Sequence, residues 1–331
     1  MRRVPYLSVF MILLFAVLLS IAIGSVFLSP AEIWNTLIGR GAEISTSILW
    51  KIRLPRTVLV VLTGAALGIS GASYQGLFRN PLADPFLIGV ASGAGLGAVI
   101  VLSFQWPYSF WGLFAVPLAA FVTGLFTVSI VYAIARIGHT VPTTNLILAG
   151  VAVSSFATSL TSFLMLRSTE EMRRALGWLL GGSIQNGWIS ILAILPLLSI
   201  GVAVLLMSGH ALNLLQFGDD QAQQLGLNVT RTRTIILVAA SLVTATAVSF
   251  SGIIGFVGLV VPHLMRMWVG ADYRRLLPLS LISGASVLLF ADVISRVVLA
   301  PQEIPVGIVT ALAGAPFFLW VLRRSKNQGY W

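Results

Sequence analysis

Long apolar segments alternate with short polar connections along almost the whole chain. A helix needs about 20 apolar residues to cross the hydrocarbon core of a bilayer. Ten segments approach or exceed that length: residues 6–28, 57–78, 86–104, 110–135, 145–166, 188–208, 234–250, 252–268, 277–299 and 304–322. The pattern therefore predicts an all-α polytopic membrane protein with about ten transmembrane helices, folded as a single domain over residues 1–331.

The first apolar run, from Tyr6 to Leu28, is longer than the core of a secretory signal peptide, which has about 7–15 apolar residues. It also lacks a small-residue cleavage site, so we expect a retained first helix. Ten helices place both termini on the same side of the membrane. We therefore predict a multi-pass protein of the cytoplasmic (inner) membrane with both termini in the cytoplasm.

The positive charges test this topology, because lysine and arginine favour cytoplasmic loops. The predicted topology places 12 of the 20 lysines and arginines inside and 8 outside. The outer ones concentrate in the stretch Lys51-Ile-Arg-Leu-Pro-Arg56, between two apolar segments. A cationic cluster around Arg53 and Arg56 on the outer face indicates a surface that receives an acidic partner from outside the cell.

Composition supports the membrane assignment and narrows the chemistry. Hydrophobic residues make up 57% of the chain, charged residues only 9%, and the mean hydropathy is +0.97. A soluble domain carries about 25% charged residues. The chain has no cysteine, which excludes disulfides and thiolate metal sites. The net charge of +10 fits cytoplasmic anchoring, so it does not indicate nucleic-acid binding.

Motifs for catalysis or metal binding are missing from the sequence. Its two lysines, Lys51 and Lys326, stand outside any glycine-rich phosphate-binding motif, so this chain does not hydrolyse ATP itself. The three histidines, His139, His210 and His263, are scattered, and we expect no metal and no cofactor. A membrane-embedded enzyme would need a polar catalytic cluster that the sequence does not contain.

Asp292 is the clearest ionisable residue inside a predicted span, and it lies four residues before Arg296 on the same helical face. One interpretation is a structural ion pair near a helix end. The other is a secondary transporter that couples ion movement through Asp292, as intramembrane carboxylates often do. Since a single locally paired carboxylate is weak support for coupling, we expect another subunit to supply the energy.

The longest polar loop on the inner side covers residues 210–233 and predicts two short helices around Gly218. Leu212, Leu215 and Phe217 give it an apolar side. Asp219 and Asp220 begin the second helix, where negative charge complements the helix dipole. Such a pair of amphipathic helices is typical of a docking element for a partner, although a helix pair lying on the lipid surface has the same pattern.

Glycine and proline mark two unusual segments. Residues 57–78 contain Gly64, Gly68 and Gly71, whose spacing permits close helix packing or a smooth pathway wall. Residues 252–268 contain three glycines and Pro262. Because lipid cannot satisfy backbone groups that proline leaves unpaired, we expect other helices to shield this segment.

Four stretches together resemble a known family. They are residues 52–56 (Ile-Arg-Leu-Pro-Arg), 71–85, 252–266 and 303–317, and they span nearly the whole chain in order. With the ten spans and the 210–233 loop, the sequence resembles the permease of type II ABC importers for iron siderophores, haem or vitamin B12. The resemblance implies a ferric siderophore or related iron chelate as the cargo, with cobalamin or haem as the alternative.

The resemblance also implies partners and site residues. The partners are ATP-binding cassette ATPase subunits, a second permease copy in a homodimer, and a periplasmic or lipid-anchored solute-binding protein. Implied docking residues for the binding protein are Arg53, Arg56 and Arg296. Implied contacts with the ATPase are Gly218, Asp219, Asp220, Gln221 and Ala222. The implied cytoplasmic gate is Asn80, Leu82, Thr143 and Thr144, of which the two threonines could instead simply cap their helix.

Overall fold

The computed structural model describes residues 4–24, 29–104, 110–138, 141–166, 169–182 and 187–326. Within these ranges the regular structure is helical. The helices are α1 (Val4–Ala22), α2 (Pro30–Leu37), α3 (Glu43–Ser47), α4 (Leu54–Leu77), α5 (Val90–Ser103), α6 (Phe110–Ala135), α7 (Thr143–Met165), α8 (Thr169–Leu179), α9 (Gly187–Met207), α10 (Gly209–Leu215), α11 (Asp219–Gln224), α12 (Val229–Ser251), α13 (Val257–Val269), α14 (Tyr273–Val297) and α15 (Val306–Lys326). A π-helix, Ile48–Arg53, joins α3 to α4.

The predicted all-α polytopic fold is confirmed. Seven helical segments of the described chain are long and apolar enough to cross a membrane, and three shorter apolar helices, α5, α13 and most of α15, accompany them. Each corresponds to one predicted span. The first helix ends at Ala22 rather than at residue 28, and residues 25–28 lie outside the described ranges. The last part of the predicted 210–233 loop belongs to α12, which begins at Val229.

The long helix α4 lies at the centre of the bundle and is buried along most of its length. It packs on α12, α13 and, most extensively, α14. Gly64 and Gly68 lie against the backbone carbonyls of Gly284 and Ser280 in α14, and Gly71 lies against that of Gly258 in α13. A Cβ atom at any of these three positions would overlap a neighbouring backbone. These glycines therefore serve helix packing.

The glycine-rich segment before α13 is irregular, as its sequence predicts. Residues 252–256 leave the helical conformation, with φ of 74° at Gly252 and 68° at Phe256. Ile254 is buried there, and Gly252 lies close to the backbone of Trp178 and Gly181. Irregular backbone within a membrane is tolerated where protein surrounds it. The expected shielding is confirmed.

Candidate functional site

Arg56 lies at the centre of a charged cluster at the N-terminal end of α4. Its Nε lies 3.0 Å and its Nη2 2.9 Å from Oδ1 of Asp292, which α14 carries. Its Nη1 lies 2.7 Å from Oε2 of Glu303, in the connection between α14 and α15. We call Arg56, Asp292, Arg296 and Glu303 the Asp292 cluster.

Arg296 pairs with the other oxygen of the same carboxylate. Its Nη2 lies 2.9 Å from Asp292 Oδ2, an ion-pair contact between residues one helical turn apart. Its guanidinium also donates to the carbonyls of Ser20 and Ile23, at 3.2 and 3.0 Å. The Asp292 side chain is fully buried and that of Arg296 is 5% exposed. The cluster thus holds two cations and two anions, so its formal charges balance.

Arg53 occupies the same end of the molecule without joining the cluster. Its Nη1 donates to the carbonyls of Ile21 and Ala22 at 2.6 and 2.9 Å, beside the carbonyls that Arg296 binds. These last carbonyls of α1 have no partners within their own helix, and arginine satisfies them. The structure therefore brings Arg53, Arg56 and Arg296 together, with their side chains engaged inside the protein. Their docking role stays a prediction.

Exposure separates the members of the cluster. Arg56 is 10% exposed, whereas the Glu303 side chain that pairs with it is 35% exposed. A cavity of about 260 Å³ opens beside this pair, lined by Arg56, Glu303, Pro305 and glycines that include Gly181 and Gly182. The Arg56–Glu303 pair is therefore the part of the cluster that a molecule outside the chain can reach.

The predicted ATPase contact turn lies at the opposite end of α4. Gly218 has φ of 101° and precedes α11, so the two short helices predicted around it are confirmed as α10 and α11. Asp220 and Gln221 are exposed, whereas Ala222 is fully buried and packs inside the protein. On the predicted apolar side, Leu212 and Leu215 are fully buried, whereas Phe217 is 63% exposed.

Asp219 connects α11 to two other elements. Arg233 of α12 donates to both of its carboxylate oxygens at 2.8 Å. Arg79, which follows α4, reaches the same carboxylate with Nη2 at 3.6 Å from Oδ1. We call Arg79, Asp219 and Arg233 the Asp219 junction.

The predicted gate residues lie near this junction. Asn80 Oδ1 accepts a hydrogen bond from the Leu82 backbone N–H at 2.9 Å, which holds the turn after α4. Thr143 lines a cavity of about 260 Å³ together with Phe78, Asp219 and Arg233. Asn80 and Leu82 are not among the described residues that line this cavity. Thr143 and Thr144 are the first two residues of α7 and its N-cap is Pro142, so the alternative that the two threonines cap this helix is wrong.

Two polar features near the same end escaped the sequence analysis. Arg266 of α13 donates to Tyr273 Oη at 2.8 Å and to Gln75 Oε1 at 3.2 Å, which ties α13, α14 and α4 together. Asp84, in the loop between α4 and α5, accepts a hydrogen bond from the Phe86 N–H at 2.8 Å. Burial raises the pKa of Asp84 to about 6, and the Phe86 bond only partly opposes that effect.

The two histidines that the structure describes lie on different helices. His210 lies on α10, His263 lies on α13, and His139 falls outside the described residues. Throughout the described part of the chain, no three histidine, aspartate or glutamate side chains group as a metal ion would require.

The outer surface of α7 mixes serine hydroxyls with exposed apolar side chains such as Phe156 and Phe163. Ser155, Ser159 and Ser162 are all exposed, although α7 is long and apolar enough to cross a membrane. Each hydroxyl donates to a backbone carbonyl four residues earlier, at 2.9 to 3.0 Å. Small residues such as serine are enriched where transmembrane helices pack against one another.

Comparisons with known proteins cover nearly the whole chain. The FecCD transport family matches residues 12–324. The hemin transport system permease protein HmuU of Yersinia pestis is 39% identical, over 99% of this chain and 98% of its own. The cobalamin import system permease protein BtuC of Halobacterium salinarum is 47% identical, over 85% of this chain and 74% of its own.

A solved structure agrees with these sequence matches. An inward-facing metal-chelate type ABC transporter superposes with a TM-score of 0.83 at 29% sequence identity, over 96% of this chain and 98% of that chain. The predicted resemblance to type II ABC importer permeases is confirmed. The chain belongs to the FecCD transport family and is a permease subunit of a type II ABC importer.

Proposed function

We propose that two copies of this permease and two ATP-hydrolysing subunits import a metal chelate across the cytoplasmic membrane, with both permease termini in the cytoplasm. The cargo arrives on a solute-binding protein and crosses between the two permeases. ATP binding and hydrolysis in the partner subunits supply the energy, since this chain has no phosphate-binding motif.

The observation that carries this proposal is the exposed hydroxyl row of α7. Ser155, Ser159 and Ser162 are small residues of the kind that lie between packed transmembrane helices. A second copy of the chain placed against this side would bury the hydroxyl row together with the exposed apolar side chains around it, or enclose the row around a water-filled path. Because the hydroxyls are already satisfied by their own helix, they would offer a polar but weakly binding wall to a bulky cargo.

The relatives bear on the cargo class. HmuU is named for hemin and BtuC for cobalamin, and both ligands are metallated tetrapyrroles. A tetrapyrrole is therefore favoured over the ferric siderophore that the sequence resemblance put first. Uptake of haemin, cobalamin and a ferric hydroxamate, measured in parallel, separates these cargoes.

The binding protein is proposed to dock at the end that holds Arg53, Arg56 and Arg296. An acidic side chain of the partner would pair with Arg56, which borders the open cavity, since ion pairs between arginine and carboxylate are strong and directional. Arg56 is the best placed of the three, because its partner Glu303 is accessible. The ATPase is proposed to bind at the opposite end, on the exposed surface of α11 around Asp220 and Gln221.

Charge reversal tests the docking surface. In the importer reconstituted with its ATPase and binding protein, R53E/R56E should abolish uptake while the ATPase still co-purifies with the permease. K51E is the matched control, because Lys51 is an exposed cation on the same stretch. Normal uptake by the folded double variant would refute the docking assignment.

Purification from the native host tests the whole assembly. Mass spectrometry should find an ATPase subunit and a solute-binding protein with this chain, and the absorbance spectrum should show a haem, corrin or ferric-chelate band. A preparation that contains only this chain and still transports without ATP would instead support a secondary transporter coupled through Asp292.

A further inference from the structure

Arg79 adopts a backbone conformation that favours glycine. Its φ is 50°, and it is one of only two non-glycine residues of the described chain with positive φ. The Arg79 N–H donates to the Gly76 carbonyl and the Asn80 N–H to the Gln75 carbonyl, which closes the end of α4 in a Schellman motif. Glycine is the usual residue at this position because a side chain is strained there.

The side chain at this strained position reaches another element. The Arg79 guanidinium lies 3.6 Å from the Asp219 carboxylate in the first turn of α11. It also covers Gly218, where an added Cβ atom would lie 3.5 Å from Arg79 Nη1. An observed backbone outlier is a reason to ask what its side chain does, and here it connects the end of α4 with α11.

Stability alone does not account for this connection. The Arg79 side chain is 44% exposed and that of Asp219 is 37% exposed, and pairs this exposed contribute little to stability. Asp219 is already held by two hydrogen bonds from Arg233. Arg79 therefore adds a link to a carboxylate that is fixed without it, at the cost of backbone strain.

The position of Arg79 in the chain indicates what the link does. Asn80 and Leu82, the predicted gate residues, directly follow it, and Phe78, which precedes it, lines the cavity that Thr143 and Asp219 share. We infer that Arg79 is a positioning residue that transmits movement of α11 to the Asn80–Leu82 loop. This inference rests on the proposed function, in which the ATPase binds α11, and adds that α11 moves when the ATPase does.

The substitution Arg79→Gly tests the inference without unfolding the helix end, since glycine suits this conformation. The variant is studied in the importer reconstituted with its ATPase and binding protein, with haemin and cobalamin as probes. We expect the ATPase to co-purify at the wild-type ratio. The amount of cargo imported per ATP hydrolysed should fall about tenfold, the scale of a lost coupling interaction. The Arg79→Lys variant keeps the positive charge, so it should retain most of the wild-type amount of cargo imported per ATP hydrolysed.

A matched control is Arg274→Ala. Arg274 forms an exposed pair with Asp272 at 3.4 Å and is not part of the Asp219 junction. The Arg274→Ala variant should keep the wild-type ratio of import to ATP hydrolysis. The inference is overturned if R79G stays within about twofold of wild type, or if R274A falls equally.

Two further outcomes separate the inference from the proposed function. Loss of the ATPase subunit from R79G alone would make Arg79 a docking residue, which overturns transmission and leaves the importer standing. A wild-type preparation that neither holds an ATPase nor imports either probe would overturn both.

Discussion

Replacing Asp292 by asparagine removes a fully buried carboxylate that two arginines share. The shape of the side chain is kept, but its negative charge is lost. Arg56 retains Glu303 at 2.7 Å. Arg296 retains only carbonyl and hydroxyl oxygens, from Ser20, Ile23 and the backbone of residue 292 itself. The variant therefore leaves Arg296 as a buried cation without a counter-ion.

The structure sets the size of the effect. Removing one partner of a buried ion pair costs about 3–5 kcal/mol, because the remaining charge stays desolvated. Arg296 is 5% exposed, so water cannot replace the lost carboxylate. Its four remaining oxygen partners place the expected loss at the lower end, about 3 kcal/mol. Arg296→Met in the same chain should recover most of it, since removing both charges of a buried pair is often nearly neutral.

Unfolding by SDS in mixed micelles measures these changes, with tryptophan fluorescence as the readout. E303Q is the matched control, because Glu303 is partly exposed and Arg56 would keep Asp292. It should cost about 0–1 kcal/mol. A D292N loss below about 1 kcal/mol, or a double variant no more stable than D292N, would refute the view of a charge-balanced buried cluster.

Two further predictions concern packing and pH. Gly71→Ala should destabilise the folded permease by about 1–3 kcal/mol, because its Cβ would meet the Gly258 carbonyl; Gly255→Ala, with open space around it, is the control in the same SDS titration. The pKa of Asp84 is raised in the folded state to about 6, so its favourable contribution is full below about pH 4 and is lost as the pH rises through 6. The D84N variant has no carboxylate to ionise, so its melting temperature should exceed that of the wild type at about pH 8. This difference in melting temperature should vanish by about pH 4. A difference in melting temperature between D84N and wild type that does not change with pH would contradict the raised pKa of Asp84.

The sequence alone predicted the ten apolar helices well, because burial in lipid requires long apolar runs that can be read directly. Short amphipathic helices such as α2 and α8 were missed, since they carry no such run. The capping signal of α2, in which Ser29 and Glu32 bond each other's backbone, was readable in hindsight. The burial of the irregular segment before α13 was predictable, because backbone groups outside a regular helix must be surrounded by protein or water when they lie within a membrane.

Predictions for the charged residues went less far. The sequence could pair Asp292 only with Arg296, one helical turn away, whereas Arg56 lies 236 residues away along the chain. It placed Arg53 and Arg56 on an outer surface, but it could not show that carbonyls at the end of α1 engage Arg53. Nor could it reveal the glycine-like conformation of Arg79, because no glycine stands there to signal it.

The glycine contacts of α4 have a mechanical consequence. Its 24 residues span about 36 Å and separate Arg56 from Arg79. Between them, Gly64 and Gly68 meet the α14 backbone directly, with no side chain to rearrange and absorb a displacement. The two helices are therefore expected to move together as one rigid unit. A tilt of about 2° would move the far end by about 1 Å over this length. A small displacement of one end of α4 would then displace its other end, on the opposite side of the membrane, without any series of side-chain rearrangements between them.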